Sequence, residues 1–174
     1  MNRLKRVIGI IAATVVLLGC QSSKNKLNEQ ITLLEKETNT GFDVEKLEKL
    51  SSLYREYINK FPQDNMVISY LFKSGTVNMT LKKGSESLSD FTLLIDKFPQ
   101  SPHLAEAYYY RAFVYEDLIY DIASAKAAYS DFISRFPDHE FVSDAKLSIQ
   151  YLGMSPEEIV ASFGEKETEL PVKE

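Results

Sequence analysis

One cysteine and two histidines are the residues of this 174-residue chain whose types most often do covalent or metal chemistry. Cys20 is the only cysteine, so it forms no disulfide within the chain and is available for another reaction. His103 and His139 each follow a Phe-Pro pair, where the first turn of a helix is expected and a polar residue is ordinary. The sequence contains no Gly-rich phosphate loop, no His-Glu-x-x-His motif and no paired cysteines. We therefore predict no catalytic site, no metal and no cofactor.

The residues before Cys20 indicate a specific use for its thiol. Arg3, Lys5 and Arg6 precede an apolar run, Val7–Leu18, which is shorter than the roughly 20 residues that span a bilayer. A basic segment, a short apolar segment and a small residue before the cut define a signal peptide, here residues 1–19. The run ends in Leu-Leu-Gly-Cys, which resembles the lipobox of bacterial lipoproteins and implies a lipidated Cys20. The alternative is an ordinary secretory signal with a chance cysteine.

The charge of the chain argues against two classes of partner. The whole sequence has 20 Lys and Arg and 25 Asp and Glu. Removing residues 1–19 removes three basic residues and no acidic one, which leaves 17 against 25 and a net charge near −8. Binding to nucleic acid requires a positive surface, and adhesion to anionic lipid requires one as well. We therefore expect no nucleic-acid partner, and a membrane attachment only through Cys20 and a polar tether over residues 20–26.

The rest of the chain has the periodicity of helices. Apolar residues recur at intervals of three and four from Leu27 onward, and no alternating run is long enough to predict a sheet. Gly84 stands where a helix is expected to end, Ser101 is a candidate N-cap with Pro102 at the first helical position, and Ser155 begins a capping box. These signals predict helices over residues 25–38, 43–61, 65–82, 86–98, 102–119, 122–136, 140–152 and 156–163.

Three Phe-Pro pairs divide these helices into units. The pairs lie at 61–62, 98–99 and 136–137, so they are spaced 37 and 38 residues apart. A fixed period of this size is typical of a helical repeat array. Proline ends every second helix because it cannot continue one, and the Phe before it is expected to be buried below the next helix. The pairs are therefore predicted to be parts of the scaffold.

The unit from Ile68 to Pro99 resembles the 34-residue tetratricopeptide repeat. With Ile68 at position one, Gly75 takes the small position eight and Phe91 the aromatic position twenty-four. The next unit keeps this pattern, with Ala112 at position eight and one extra residue between its helices. The resemblance implies an all-α fold, an α-solenoid of about three tetratricopeptide-like helix pairs plus C-terminal capping helices. It would cover residues 27–163, followed by a disordered tail over 164–174.

Two segments, residues 98–118 and 125–149, carry a narrower resemblance. They read FPQSPHLAEAYYYRAFVYEDL and AKAAYSDFISRFPDHEFVSDAKLSI. They are similar to the repeats of envelope lipoproteins, namely the BamD type of the barrel-assembly machinery, the CpoB type of cell-division coordinator and small lipoproteins common in Bacteroidetes. The resemblance implies a protein-binding scaffold held by lipid at the periplasmic face of the outer membrane. A true subunit of a barrel-assembly or secretion machinery is the alternative. A hydrolase accessory protein or a cell-wall enzyme is a third hypothesis, which the missing motifs disfavour.

Consecutive tyrosines indicate where a protein or peptide partner would bind. Tyr108, Tyr109 and Tyr110 cannot all be core residues, because helical neighbours point about 100° apart. Tyr108 takes the core position, whereas Tyr109 takes position five, which lines the concave groove in repeats of this kind. The alternative is that the predicted helix over 156–163 covers some of these aromatic residues, by folding into the groove or by capping the array. The groove positions of three units give the candidate contacts Phe72, Met79, Glu106, Tyr109, Phe113, Glu116, Leu147 and Tyr151, with no small-molecule substrate implied.

Overall fold

The computed structural model describes residues 22–168, with side chains through residue 162. The predicted signal peptide, Cys20 and residues 169–174 of the predicted tail lie outside the described residues. The described part is helical and contains no strand, so the predicted all-α fold is confirmed. The helices are α1 over 22–38, α2 Val44–Lys60, α3 Met66–Thr80, α4 Gly84–Lys97, α5 Leu104–Val114 with a π-helical turn Tyr115–Ile119, α6 Ile122–Arg135, α7 Val142–Tyr151 and α8 Pro156–Thr168.

The helices form consecutive pairs. From α2 to α7 each helix packs against the next one along the chain, and the short connections make these neighbours antiparallel. We call α1, α3, α5 and α7 the A helices, and α2, α4, α6 and α8 the B helices. Neighbouring A helices also touch, because Tyr70 Oη donates to Asn28 Oδ1 at 2.8 Å and the rings of Phe72 and Tyr110 lie 5.9 Å apart. The result is the predicted α-solenoid.

The three Phe-Pro joints have the same backbone geometry. Phe61, Phe98 and Phe136 have φ of −129°, −130° and −130°, and ψ of 53°, 62° and 58°. Each Phe amide donates to the carbonyl four residues earlier at 2.9 Å, which ends the B helix. These three rings are only partly buried, contrary to expectation. The aromatic rings without exposed surface lie earlier in the B helices and include Phe91 and Phe132.

One polar side chain in each joint starts the next A helix. Asp64 Oδ1, Ser101 Oγ and His139 Nδ1 each accept a hydrogen bond from the amide two residues later, at 2.9, 3.1 and 3.2 Å. Helix α5 begins at Leu104, so Pro102 precedes the helix and does not take its first position as predicted. Because His139 acts as a hydrogen-bond acceptor in a joint, its position is explained by the scaffold.

Gly75, at the small position eight of the repeat, allows α3 and α4 to approach closely. A Cβ atom at this position would lie 2.7 Å from the ring of Phe91, which has no exposed surface. Gly84 has a different role from the predicted one, since it begins α4 and a Cβ there would lie 2.9 Å from Leu118 Cβ. The left-handed residue after α3 is instead Lys82, with φ of 57°.

The extra residue of the second period lies in the π-helical turn. Seven positions separate Gly75 from the left-handed Lys82, whereas eight separate Ala112 from the left-handed Tyr120, whose φ is 60°. A π-helical turn, here Tyr115–Ile119, holds one residue more than the α-helical path. The joints therefore keep the same geometry although their spacing differs.

The helical domain extends further than expected at both ends. Residues 22–26, the expected polar tether, belong to α1, and Lys24 Nζ donates to Asp64 Oδ2 at 2.7 Å. At the other end α8 continues five residues into the expected tail. The capping box at its start is confirmed, because Ser155 and Glu158 exchange hydrogen bonds of 2.7 and 3.2 Å.

A polar network crosses the interface of α2, α3 and α4. Ser74 Oγ and Asn78 Nδ2 both donate to Asp90 Oδ2, at 2.7 and 2.9 Å, and Ser51 Oγ donates to Asn78 Oδ1 at 2.8 Å. Burial raises the pKa of the Asp90 carboxyl even though these hydrogen bonds favour its charged form. The ionised carboxylate therefore lowers the stability of the fold at neutral pH.

We expect Asp90→Asn to match or exceed the stability of the natural protein at neutral pH, because the amide oxygen still accepts both hydrogen bonds. The folded pKa of Asp90 lies above the unfolded one, so the folded state binds the proton more tightly. The natural protein therefore gains stability as the pH falls through the folded pKa, and the variant lacks this gain. Thermal unfolding at neutral and acidic pH, with the exposed Asp96→Asn as control, measures the difference. A variant that is less stable at neutral pH would contradict this account.

Candidate functional site

Residues at position five of the A helices form a row across the array. Glu35, Phe72, Tyr109 and Leu147 follow one another at spacings of 37, 37 and 38 residues. Leu147 is 51% exposed, whereas Phe72 and Tyr109 are partly buried against the core. The predicted groove therefore offers less exposed aromatic surface than its sequence indicates.

The following unit covers the two aromatic residues of this row. The ring of His103 stacks on Phe72, with centroids 4.4 Å apart and planes 9° apart. The ring of Phe141 lies 4.7 Å from that of Tyr109. Both covering residues stand five positions after the Phe of a joint. Among the described residues, Leu147 in the next unit is not covered to the same extent and remains half exposed.

These contacts join into a continuous band of rings that we call the aromatic ribbon. Tyr110 connects its two halves, since its ring lies 5.9 Å from Phe72 and 5.7 Å from Tyr109. The sequence pattern predicts only two of its residues, Phe72 and Tyr109. His103 and Phe141 could also have been found, because both occupy the same position after a joint. The ribbon consists of Phe72, His103, Tyr109, Tyr110, His139 and Phe141.

Carboxylates surround the two tyrosines of the ribbon. Burial raises the pKa of both hydroxyls, and the nearby negative charges raise it further. The site is therefore electronegative, and it favours a partner that carries positive charge. The carboxylates are Asp144 and Glu116 beside Tyr109, and Glu106 and Glu140 beside Tyr110.

Glu106 and Glu116 have different environments although both are predicted groove residues. Glu116 Oε2 accepts a hydrogen bond of 2.6 Å from Tyr129 Oη, and Tyr129 has no exposed surface. Glu116 therefore satisfies a buried hydroxyl. Glu106 is partly exposed and makes no side-chain hydrogen bond within residues 22–162, so it is the better candidate for a partner contact.

The remaining predicted groove residues differ in how much of their surface is open. Met79 packs partly buried against the core, and Tyr151 is partly exposed at the end of α7. Phe113 is partly exposed and belongs to no ring pair among the described residues, unlike Tyr109. Phe113 and Leu147 are therefore the apolar groove residues best placed to touch a partner.

The first unit contributes a polar end to the same row. Glu35 Oε1 accepts hydrogen bonds from Tyr54 Oη at 2.7 Å and from Lys73 Nζ at 2.8 Å. These three residues line an open cavity of about 330 Å³ between α1, α2 and α3. The apolar part of the row therefore begins at the second unit.

Comparison with known protein families identifies a unit that contains half of the residues of the aromatic ribbon. Residues 106–139 match the family model of the tetratricopeptide repeat. This segment is a tetratricopeptide repeat. No curated protein matches the chain. Tetratricopeptide repeats are typically non-catalytic scaffolds that bind other proteins, so the chain carries a protein-interaction repeat.

The tetratricopeptide repeat contains Tyr109, Tyr110 and Phe113, and its last residue is His139. The unit before it has the same joint and the same row position, which makes the whole array tetratricopeptide-like. Within the described part of the chain, no group of three or more His, Cys, Asp or Glu side chains could hold a metal ion. None of the described helices is both long enough and apolar enough to cross a membrane.

Proposed function

We propose that this protein is a lipid-anchored scaffold on the periplasmic side of the outer membrane, where it binds a protein partner in an envelope complex. The observation that carries the proposal is the exposed apolar surface of two groove residues, since Leu147 is 51% exposed and Phe113 is partly exposed. An apolar surface on a rigid helical array is suited to capturing a segment of another protein.

The anchor is proposed from the residues around Cys20. The Leu-Leu-Gly-Cys sequence resembles a lipobox, and several acyl chains on one residue hold a protein to a membrane stably. Gln21 stands where an Asp would resemble an inner-membrane retention signal. Lys24 and Lys26 are unlike the acidic signals that resemble surface export in Bacteroidetes lipoproteins. These features favour the periplasmic face of the outer membrane.

The partner segment is proposed to be partly apolar and basic. Its apolar side chains would pack on Phe113 and Leu147, which would determine how long it stays bound. Its basic side chains would meet Glu106, Glu140 and Asp144, which would mainly increase the association rate and make it sensitive to salt.

The second candidate is a true subunit of the barrel-assembly or a secretion machinery. The observation that favours it is the resemblance of residues 98–118 and 125–149 to BamD-type repeats, since these residues form α5, α6 and α7 of the array. The two candidates differ in the partner that crosslinking recovers from envelopes. Recovery of a subunit of the barrel-assembly or a secretion machinery would favour the second candidate.

The double variant Phe113→Ser with Leu147→Ser should lose most of the partner recovered by crosslinking and pull-down from envelopes. Both side chains are accessible and lie outside the buried core, so the fold should be unaffected by circular dichroism. The matched control is Leu93→Ser with Val160→Ser, which removes two exposed apolar side chains from B helices. Full recovery by the double variant, or equal loss in the control, would show that Phe113 and Leu147 do not belong to the binding site.

A further inference from the structure

We infer that the first joint, residues 61–66, lies against the phospholipid headgroups, so that the solenoid stands on the membrane through this joint. The inference deepens the proposed function and rests on the proposed lipidation of Cys20. It follows from where α1 begins, from what holds α1 to the first joint, and from the surface of that joint.

The distance between the lipid and the folded domain is short. Residue 22 is already helical, so only Gln21 stands between it and Cys20 in the sequence. Two residue steps span at most about 7 Å. A chain attached at Cys20 therefore has its first helix next to the bilayer, which leaves no room for a long flexible tether.

Helix α1 is held to the first joint by contacts on its first turns. Lys24 Nζ lies 2.7 Å from Asp64 Oδ2, and the other oxygen of Asp64 accepts the Met66 amide at 2.9 Å. One turn later Asn28 Oδ1 accepts a hydrogen bond of 2.8 Å from Tyr70 Oη, and Leu27 is buried beside it. The first joint is therefore fixed at the end of α1 that lies nearest to the lipid.

The first joint exposes less negative charge than the third joint, so its surface is better suited to contact with lipid headgroups. Its exposed residues are neutral and include Asn65 and Met66, the latter 40% exposed. Its one carboxylate, on Asp64, is paired with Lys24. The third joint instead exposes Asp138 and Glu140. Anionic lipid would repel that joint more strongly than the first.

The outward face of α1 argues that the helix stands up from the membrane. Its exposed side chains include Glu29, Lys36 and Glu37, whereas a helix that lies in the interface needs a broad apolar face. The 17 residues of α1 rise about 25 Å at 1.5 Å per residue. Phe42, at the far end of α1, should therefore lie well away from the lipid.

Fluorescence quenching in vesicles tests this orientation. Cys20 is the only cysteine, and its lipid blocks the thiol, so one introduced cysteine can carry a bimane label. Asn65→Cys and Glu140→Cys occupy the same place in two joints, and both sites are exposed; Phe42→Cys reports the far end of α1. The lipidated proteins are placed in phosphatidylethanolamine and phosphatidylglycerol vesicles that contain a headgroup nitroxide. We expect residue 65 to lose most of its emission, and residues 42 and 140 to keep theirs.

A linker variant separates the inference from the proposed anchor. Inserting about 20 Gly and Ser residues between Gln21 and Ser22 adds a flexible reach of tens of ångströms. This variant should still float with the vesicles while residue 65 regains its emission. Flotation with equal emission at residues 65 and 140, or quenching that survives the linker, would overturn the inference. A mature protein that carries no lipid by mass spectrometry and does not float would instead overturn the proposed anchor, and the inference with it.

Discussion

Phe91→Ala is expected to lower the free energy of unfolding by about 3–5 kcal/mol, the usual range for removing a fully buried Phe side chain. The ring has no exposed surface, and it packs against Gly75 of the paired helix and the rings of Phe72 and Tyr110. Removing it leaves a cavity between the second and third units that rigid helices cannot fill. Chemical denaturation followed by circular dichroism measures the loss.

Three further variants test the stated cause. Leu93→Ala changes an exposed residue of the same helix and should have little effect, and Phe98→Ala should cost less than Phe91→Ala because its ring is only partly buried. Gly75→Ala should destabilise the natural protein by about 1–3 kcal/mol through overpacking, since its Cβ would lie 2.7 Å from the Phe91 ring. The same change in the Phe91→Ala background should cost much less. Equal costs in both backgrounds would show that the two residues are not coupled.

Cys20→Ser is expected to abolish attachment to the outer membrane. The proposed lipid is the only membrane-binding feature that the sequence indicates, so the variant should be found in the soluble periplasmic fraction or remain uncleaved. Fractionation with a high-salt wash, followed by immunoblotting, measures the change. Lys26→Ala, which leaves the lipobox-like segment intact, is the control and should remain with the membrane. A cleaved Cys20→Ser variant that still sediments with the outer membrane after the wash would be held by a protein partner instead of by lipid.

The positions of the helices could be predicted because local signals agree with the fold. A Phe-Pro joint ends each of the helices α2, α4 and α6, and a hydrogen-bonding side chain after each joint starts the next A helix, so these boundaries carry their own chemistry. Gly75 could be interpreted as a site where α3 and α4 approach closely, because position eight of the repeat faces the paired helix. The π-helical turn could not be predicted, since one extra residue can lie anywhere between Ala112 and the next joint.

The candidate site was harder to predict than the fold, because burial of a groove residue depends on the next unit. Tyr109 and Phe72 have the same pattern position as Leu147, yet only Leu147 is left uncovered. The covering rings of His103 and Phe141 come from residues about 31 and 32 positions further along the chain. A periodic pattern gives the face of a helix, but it does not show which neighbouring side chain will stack on that face.

The π-helical turn has a consequence for how such an array tolerates changes in length. Joints spaced 37 and 38 residues apart have nearly identical dihedral angles. The π-helical turn therefore accommodates the additional residue without changing the joint or the start of the next A helix. Tyr120, at the end of this turn, is 77% exposed, and insertions at exposed turns are the ones that folded proteins accept most readily. Length variation during evolution, or an epitope tag added in the laboratory, should therefore be accommodated between an A helix and its B helix. The same insertion within a Phe-Pro joint would shift every later unit out of register.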